Sequence, residues 1–184
     1  MLEQRAAQAA ERWTPAERQA IRAIRVNANR LNTMVRDLLD ASRIEARRLR
    51  LEPRPLKLNE FVRETIDQLR PTLGKHPVTV HLTACDPVVN ADPSRLAQIL
   101  ANLLTNAANY SPPQAPIEVY VDYVDGWARM RVVDHGQGIP PEVLPHLFER
   151  FYRPPDRRER RVEGLGLGLY IVHGLVEAHG GRIS

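Results

Sequence analysis

Asn102-Leu103-Leu104-Thr105-Asn106 lies in a segment that Asp92-Pro93 opens as a helix. Over 93–109, Leu96, Ile99, Leu100, Leu103, Leu104 and Ala107 form one apolar stripe. Asn102 and Asn106 are four residues apart and share the other face, with Asn109 on the same side one turn later. An amide oxygen is a hard, neutral ligand. It suits Mg²⁺, which keeps several waters and takes the rest of its shell from phosphates. Two asparagines on a merely solvated face would look the same, so their flanks decide the reading.

Downstream, an apolar run ends in Asp134-His135-Gly136-Gln137-Gly138-Ile139. The glycines permit a tight turn and close backbone approach to a ligand. A carboxylate at the floor of such a pocket only accepts hydrogen bonds, and adenine offers a donor at its exocyclic amine where guanine offers an acceptor. Further on, Gly164-Leu165-Gly166-Leu167-Gly168-Leu169 precedes a helix of about 167–179. Free backbone N–H groups and the helix dipole make such a loop an anion site. No βαβ unit surrounds it and the GxxxxGK[ST] pattern is absent, so neither the dinucleotide nor the P-loop pocket applies. A magnesium amide, an adenine-reading carboxylate and a phosphate-cradling loop, in that order, point to ATP.

The rest of the chain frames these motifs. Thr14-Pro15-Ala16-Glu17 reads as a capping box. It starts a helix from 15 to about 49, with Ile21, Ala28 and Val35 interleaved with Ile24, Leu31 and Leu38 as an a/d seam that calls for partner helices. Pro53-Arg54-Pro55 ends it and begins a linker. Asn59 is expected to cap a second helix over about 60–72. Strands are expected at 77–82, 87–91, 117–123 and 127–133, the last two joined by a hairpin at Asp125-Gly126. The segment 141–151 reads as partly helical and 152–163 as a polar, Arg-rich loop. Arg182-Ile183-Ser184 reads as the start of another strand.

The 184 residues suffice for one domain and an appendage, and 43% hydrophobic content supports a core of Leu, Val, Ile and Ala. The net charge is +4, and 24 of the 26 basic residues are Arg. They alternate with Asp and Glu along helices, so they read as a solvated surface and no nucleic-acid partner is expected. One cysteine, Cys85, excludes an internal disulfide or a CxxC zinc site and fits a reducing cytoplasm. No apolar run reaches the ~18 residues of a membrane span. A cytoplasmic location is expected, with any membrane anchor in regions N-terminal to this sequence.

The order and spacing of these motifs resemble the catalytic and ATP-binding domain of sensor histidine kinases, within the GHKL ATPase group. Residues 91–111 look like its N box, 133–140 like its G1 box, 147–153 (Leu-Phe-Glu-Arg-Phe-Tyr-Arg) like its F box and 164–169 like its G2 box. Upstream, Arg30-Leu31 and Asp37-Leu38-Leu39-Asp40-Ala41-Ser42-Arg43-Ile44-Glu45 look like the second helix of the kinase dimerisation domain. The resemblance covers about residues 20–184. It implies an α+β fold: a two-layer α/β sandwich with helices on one face of a mixed sheet, preceded by the long dimerisation helix. Residues 1–52 would be the C-terminal part of the dimerisation domain and 53–184 the ATP-binding domain, with its last strands beyond Ser184.

By this resemblance Asn106 would bind Mg²⁺ with Asn102 supporting it, Asp134 would take the adenine amino group, and Tyr110 would lie against the adenine or close the pocket. Gly136, Gly138, Gly164, Gly166 and Gly168 would let the backbone meet the nucleotide, with Ile139, Leu165, Leu167 and Leu169 beside them. Residues 148–163 would form the ATP lid. Asn109 stands where kinases often carry Lys, Arg or His, leaving Arg150 or Arg153 to supply a phosphate-facing cation. The phosphoacceptor box is absent: the six histidines are 76, 81, 135, 146, 173 and 179, none in a helix of the dimerisation type. The resemblance implies a kinase that binds Mg-ATP and gives the γ-phosphoryl to a histidine outside this chain, with a response regulator receiver domain as partner and a homodimer formed through helix 15–49. The alternatives are a non-catalytic kinase-like adaptor, or another GHKL ATPase or serine kinase. Asn102 stands where the ATPase members carry a glutamate base, which disfavours the last two.

Overall fold

Asp92 starts the helix around which the rest is arranged. The computed structural model describes residues 13–153 and 164–184. In it one Asp92 carboxylate oxygen accepts from the amides of Ser94 and Arg95 at 2.9 and 3.2 Å and from the Ser94 hydroxyl at 2.7 Å. The other accepts from the Glu52 amide at 3.0 Å. Burial works against the charge, but the Glu52 amide, the Ser94 hydroxyl and the two helix amides outweigh it and hold the carboxyl at about 2. Pro93 fills the first helical position, where no amide partner is needed. The helix runs Pro93–Tyr110 and ends at Ser111, before Pro112.

The elements, in order, are α1 (Pro15–Glu45), β1 (Arg54–Lys57), α2 (Leu58–Leu69), a 3₁₀ turn (Arg70–Thr72), β2 (Val78–His81), β3 (Val88–Ala91), α3 (Pro93–Tyr110), β4 (Ile117–Val124), β5 (Trp127–Val133), a second 3₁₀ turn (Leu144–His146) and α4 (Gly168–Ala178). The sheet β2-β4-β5 is mixed. β2 lies parallel to β4, with Val78 opposite Ile117 and Val80 opposite Val119, and β4 pairs antiparallel with β5. The parallel step needs a crossover, and the chain between β2 and β4 supplies it through α3. Along β4 the residues alternate: Ile117, Val119 and Val121 are buried, while Glu118, Tyr120 and Asp122 are not. The buried face meets Leu96, Ile99, Leu100, Leu104 and Ala107 of α3, Val62 and Ile66 of α2, and Ile171, Val172 and Leu175 of α4 in one core. Helices therefore cover one face of a mixed sheet, the expected architecture.

The chain divides into two compact units, Met1–Leu39 and Asp40–Ser184, and α1 crosses the division. In the first unit the capping box forms: the Glu17 carboxylate accepts from the Thr14 amide at 2.7 Å, and the Thr14 hydroxyl accepts from the Glu17 amide at 3.3 Å. The bond from the Thr14 amide is the largest of the influences that hold the Glu17 carboxyl below its ordinary range. Ile21, Ile24, Leu31, Val35 and Leu38 of the seam are exposed. In the second unit lie the core and all the nucleotide motifs.

Several sequence expectations need correction. Helix α1 stops at Glu45 rather than about 49, because Arg47 takes a left-handed conformation (φ 53°). The Arg47 amide donates to Ile44 O and the Arg48 amide to Arg43 O, which closes the helix as a Schellman turn without glycine. The linker after Pro53 contains β1, paired antiparallel with β3. Proline is tolerated there because the strand is an edge. Asn59 does not cap α2, which begins at Leu58. Its amide N–H donates to Asp86 and its side chain to the carbonyls of Thr83 and Cys85, which pins the loop between β2 and β3. Residues 182–184 form no strand; the Arg182 guanidinium lies 6.0 Å from the Trp127 ring centroid. Residues 1–12 and 154–163, the latter being the greater part of the expected lid, lie outside the described residues.

Asp92 gives a pH prediction. Its folded pKa, about 2, lies below the ordinary 3.8. The stability it contributes is therefore complete above about pH 4 and is lost as the pH falls toward 2. Asp92→Asn keeps an acceptor at the cap but loses the charge that its donors favour, and should cost about 1–2 kcal/mol in urea unfolding at pH 6. The difference from the parent should shrink at pH 2.5, and a constant gap would contradict the assignment.

Candidate nucleotide site

Helix α3 brings the motifs together. Asn102 and Asn106 are partly exposed on the side of α3 away from the core stripe. Asn102 faces the start of α4: a Cβ built on Gly168 would lie 3.4 Å from Asn102 Oδ1. Among the described residues no hydrogen bond engages either amide, so both oxygens are available to a hard cation and the pair fits Mg²⁺. Asn109 is exposed one turn on, and Tyr110 closes the helix.

The end of α3 meets the first glycine turn. A Cβ on Gly136 would come 2.8 Å from the Tyr110 carbonyl oxygen and 2.7 Å from Asp134 Oδ1, so only glycine fits. The Gly136 amide donates to Asp134 Oδ1 at 2.7 Å, and this turn fixes the carboxylate just beyond β5. Oδ2 is left for a ligand donor. Gly138 takes φ 73°, which suits glycine, and Ile139 is exposed beside it.

The second glycine motif is held by the F-box segment. Phe151, itself at φ 60°, donates its amide to Gly166 O at 3.1 Å, and a Cβ on Gly166 would lie 2.9 Å from Tyr152 O. Arg153 Nη1 donates to Gly164 O at 3.4 Å. Leu167 is buried and immediately precedes α4, Leu165 is exposed, and Gly168 and Leu169 are partly exposed. Of the two arginines considered as the phosphate-facing cation, Arg153 stands at the glycine loop, whereas Arg150 pairs with Glu45. The motifs are thus gathered around α3 and the start of α4.

Sequence reasoning missed one feature of the site. The end of α1 belongs to it: Asp40, buried, accepts from Arg95 Nη1 at 2.8 Å and Gln98 Nε2 at 2.9 Å on α3. The partners are more than fifty residues away, and nothing local signals the pairing. No helix among the described residues is long and apolar enough to cross a membrane.

Residues 91–184 match the family described as histidine kinase-, DNA gyrase B- and HSP90-like ATPases. The chain is 36% identical over 175 residues to the circadian input-output histidine kinase CikA of Synechococcus elongatus, covering 93% of this chain and 23% of CikA. It is 36% identical over 155 residues to the sensor histidine kinase CusS of Escherichia coli O157:H7, covering 84% of this chain and 32% of CusS. The chain therefore spans a third or less of these relatives. Among solved structures, full-length ShkA in complex with AMPPNP superimposes with a TM-score of 0.73 at 27% identity, over 91% of this chain and 35% of that one. The chain belongs to the histidine kinase-, DNA gyrase B- and HSP90-like ATPase family, and its ATP-binding domain is of the sensor histidine kinase type.

Proposed function

We propose that this chain is the phosphoryl-donor half of a sensor histidine kinase: it binds Mg-ATP and presents the γ-phosphoryl to a histidine outside this sequence. The convergence on α3 carries the reading, with Asn102 against Gly168 at one point and the Tyr110 carbonyl against Gly136 at another. Asp134 Oδ2 accepts from the adenine amino group. Tyr110 lies by the base. Asn106 and Asn102 hold Mg²⁺, which neutralises phosphate charge when bound. The backbone from Gly164 to Gly168 donates to phosphate oxygens, and Arg153 supplies the cation that Asn109 lacks. Transfer then needs only positioning and charge neutralisation: the neutral imidazole attacks phosphorus and ADP leaves. The phosphoryl passes next to an aspartate of a response regulator receiver domain.

The test is incubation of the chain with γ-labelled ATP and Mg²⁺. Calorimetry should show nucleotide binding, while acid-labile, base-stable label should be absent from the chain itself. Such label on this chain would overturn the claim that the acceptor lies elsewhere. Asn106→Ala should weaken ATP binding in Mg²⁺ by about tenfold and have a smaller effect in EDTA; equal losses in both would remove Asn106 from the metal.

The seam on α1 supplies the dimer contact with a second copy of the chain. Five large apolar side chains, Ile21, Ile24, Leu31, Val35 and Leu38, are exposed at heptad spacing over a 31-residue helix. Leu31→Glu with Val35→Glu should shift sedimentation from dimer to monomer. A parent chain that is monomeric at tens of micromolar would contradict this part of the reading.

A further inference from the structure

One short stretch at the end of α1, residues 40–45, touches three elements of the nucleotide site. Asp40 accepts from Arg95 and Gln98 of α3. Ile44 packs on α4, where a Cβ on Gly174 would lie 2.6 Å from Ile44 Cγ2. Glu45 accepts a hydrogen bond from Arg150 Nη1 in the F-box segment. The Arg150 guanidinium also lies 4.9 Å from the Phe151 ring centroid, and its Nε is buried without a hydrogen-bond partner. Phe151 in turn sits in a left-handed conformation and donates to Gly166 O. A non-glycine residue at φ 60° stays there only because its surroundings hold it. The ring is exposed, so packing does little of this, and the guanidinium over it and the bond to Gly166 do the rest.

We propose that Glu45 is a positioning residue for the nucleotide site. It fixes Arg150, and through Arg150 and Phe151 it holds the 164–168 loop in the shape that receives phosphates. This rests on the reading that the loop binds ATP. The Glu45 side chain is 61% exposed, so the pair adds little to global stability. Its effect falls on the loop. That separates a positioning role from a structural one: nucleotide affinity should move while the melting temperature does not.

The experiment compares the full chain with Glu45→Gln, Glu45→Arg, Arg150→Glu and the double variant Glu45→Arg/Arg150→Glu. Affinity for AMPPNP in Mg²⁺ is read by calorimetry, and amide hydrogen exchange at Phe151 is read without nucleotide. Glu45→Gln should weaken binding about 3-fold and Glu45→Arg about 5- to 10-fold, with Phe151 exchange faster by similar factors. The double variant should return both to within about 2-fold of the parent. Unchanged affinity and exchange in Glu45→Arg would overturn the proposal, and so would losses that the double variant does not restore. A parent chain that binds no nucleotide would sink the ATP reading instead. The exchange measurements would then decide alone whether Glu45 holds the loop.

Discussion

Asp134→Asn is expected to weaken ATP binding about 10- to 100-fold, with the melting temperature within about 2 °C of the parent. Asp134 Oδ1 is already engaged by the Gly136 amide at 2.7 Å. An asparagine that keeps this bond must turn its NH₂ toward the adenine amine, so donor meets donor. One that flips to accept from adenine loses the Gly136 bond and points its NH₂ at an N–H. Either way a buried donor in the complex goes unpaired and a charge-assisted bond is lost. Asp134 is exposed without nucleotide, so the free protein tolerates the change. Calorimetry checks it, and an unchanged affinity would mean that another group reads the base.

Gly136→Ala should damage both the fold and the site. The added Cβ would meet the Tyr110 carbonyl at 2.8 Å and Asp134 Oδ1 at 2.7 Å. The carbonyl belongs to the last turn of α3 and is not free to swing away. Relief requires the turn after β5 to move off the helix, which takes Asp134 with it. A loss of about 2–4 kcal/mol in urea unfolding is expected, together with loss of measurable ATP binding. Gly138→Ala is the control. It has no atom within 4 Å of its Cβ and suffers only the strain of φ 73°, for a cost of about 1–2 kcal/mol. If the two variants lose the same stability, the close approach of the turn to α3 is not what holds the site.

What could be read from the sequence was what is encoded locally. Asp92-Pro93 announces α3 because cap and first-turn chemistry lie within three residues. Asp125-Gly126 announces the hairpin because both residues take positive φ, 52° and 81°, as a two-residue turn demands. The alternation in β4 and the stripe of α3 gave the buried faces, and the four boxes gave the family. What escaped was decided at a distance or by an unusual residue. Arg47 ends α1 in a conformation normally left to glycine, so no breaker marked the end. β1 begins right after Pro53 and contains Pro55, which an edge pairing with β3 tolerates but which hides the strand in the sequence. Asn59 looks like a cap, but its partners are Asp86, Thr83 and Cys85. The link from Glu45 to Arg150 spans 105 residues and leaves no periodic trace. Asn102, Asp134 and the glycines of both loops could be named as candidates from residue type and order; only the fold shows that α3 is where they meet.

If Asp134 takes a donor from the base and the 164–168 loop takes phosphates, as proposed, a paired titration of the chain with ATP and GTP in Mg²⁺ tests it most directly. One ATP should bind per chain and GTP more weakly by at least about tenfold, because guanine sets an acceptor against Asp134. Equal affinity for the two nucleotides, or no binding of either, would contradict it.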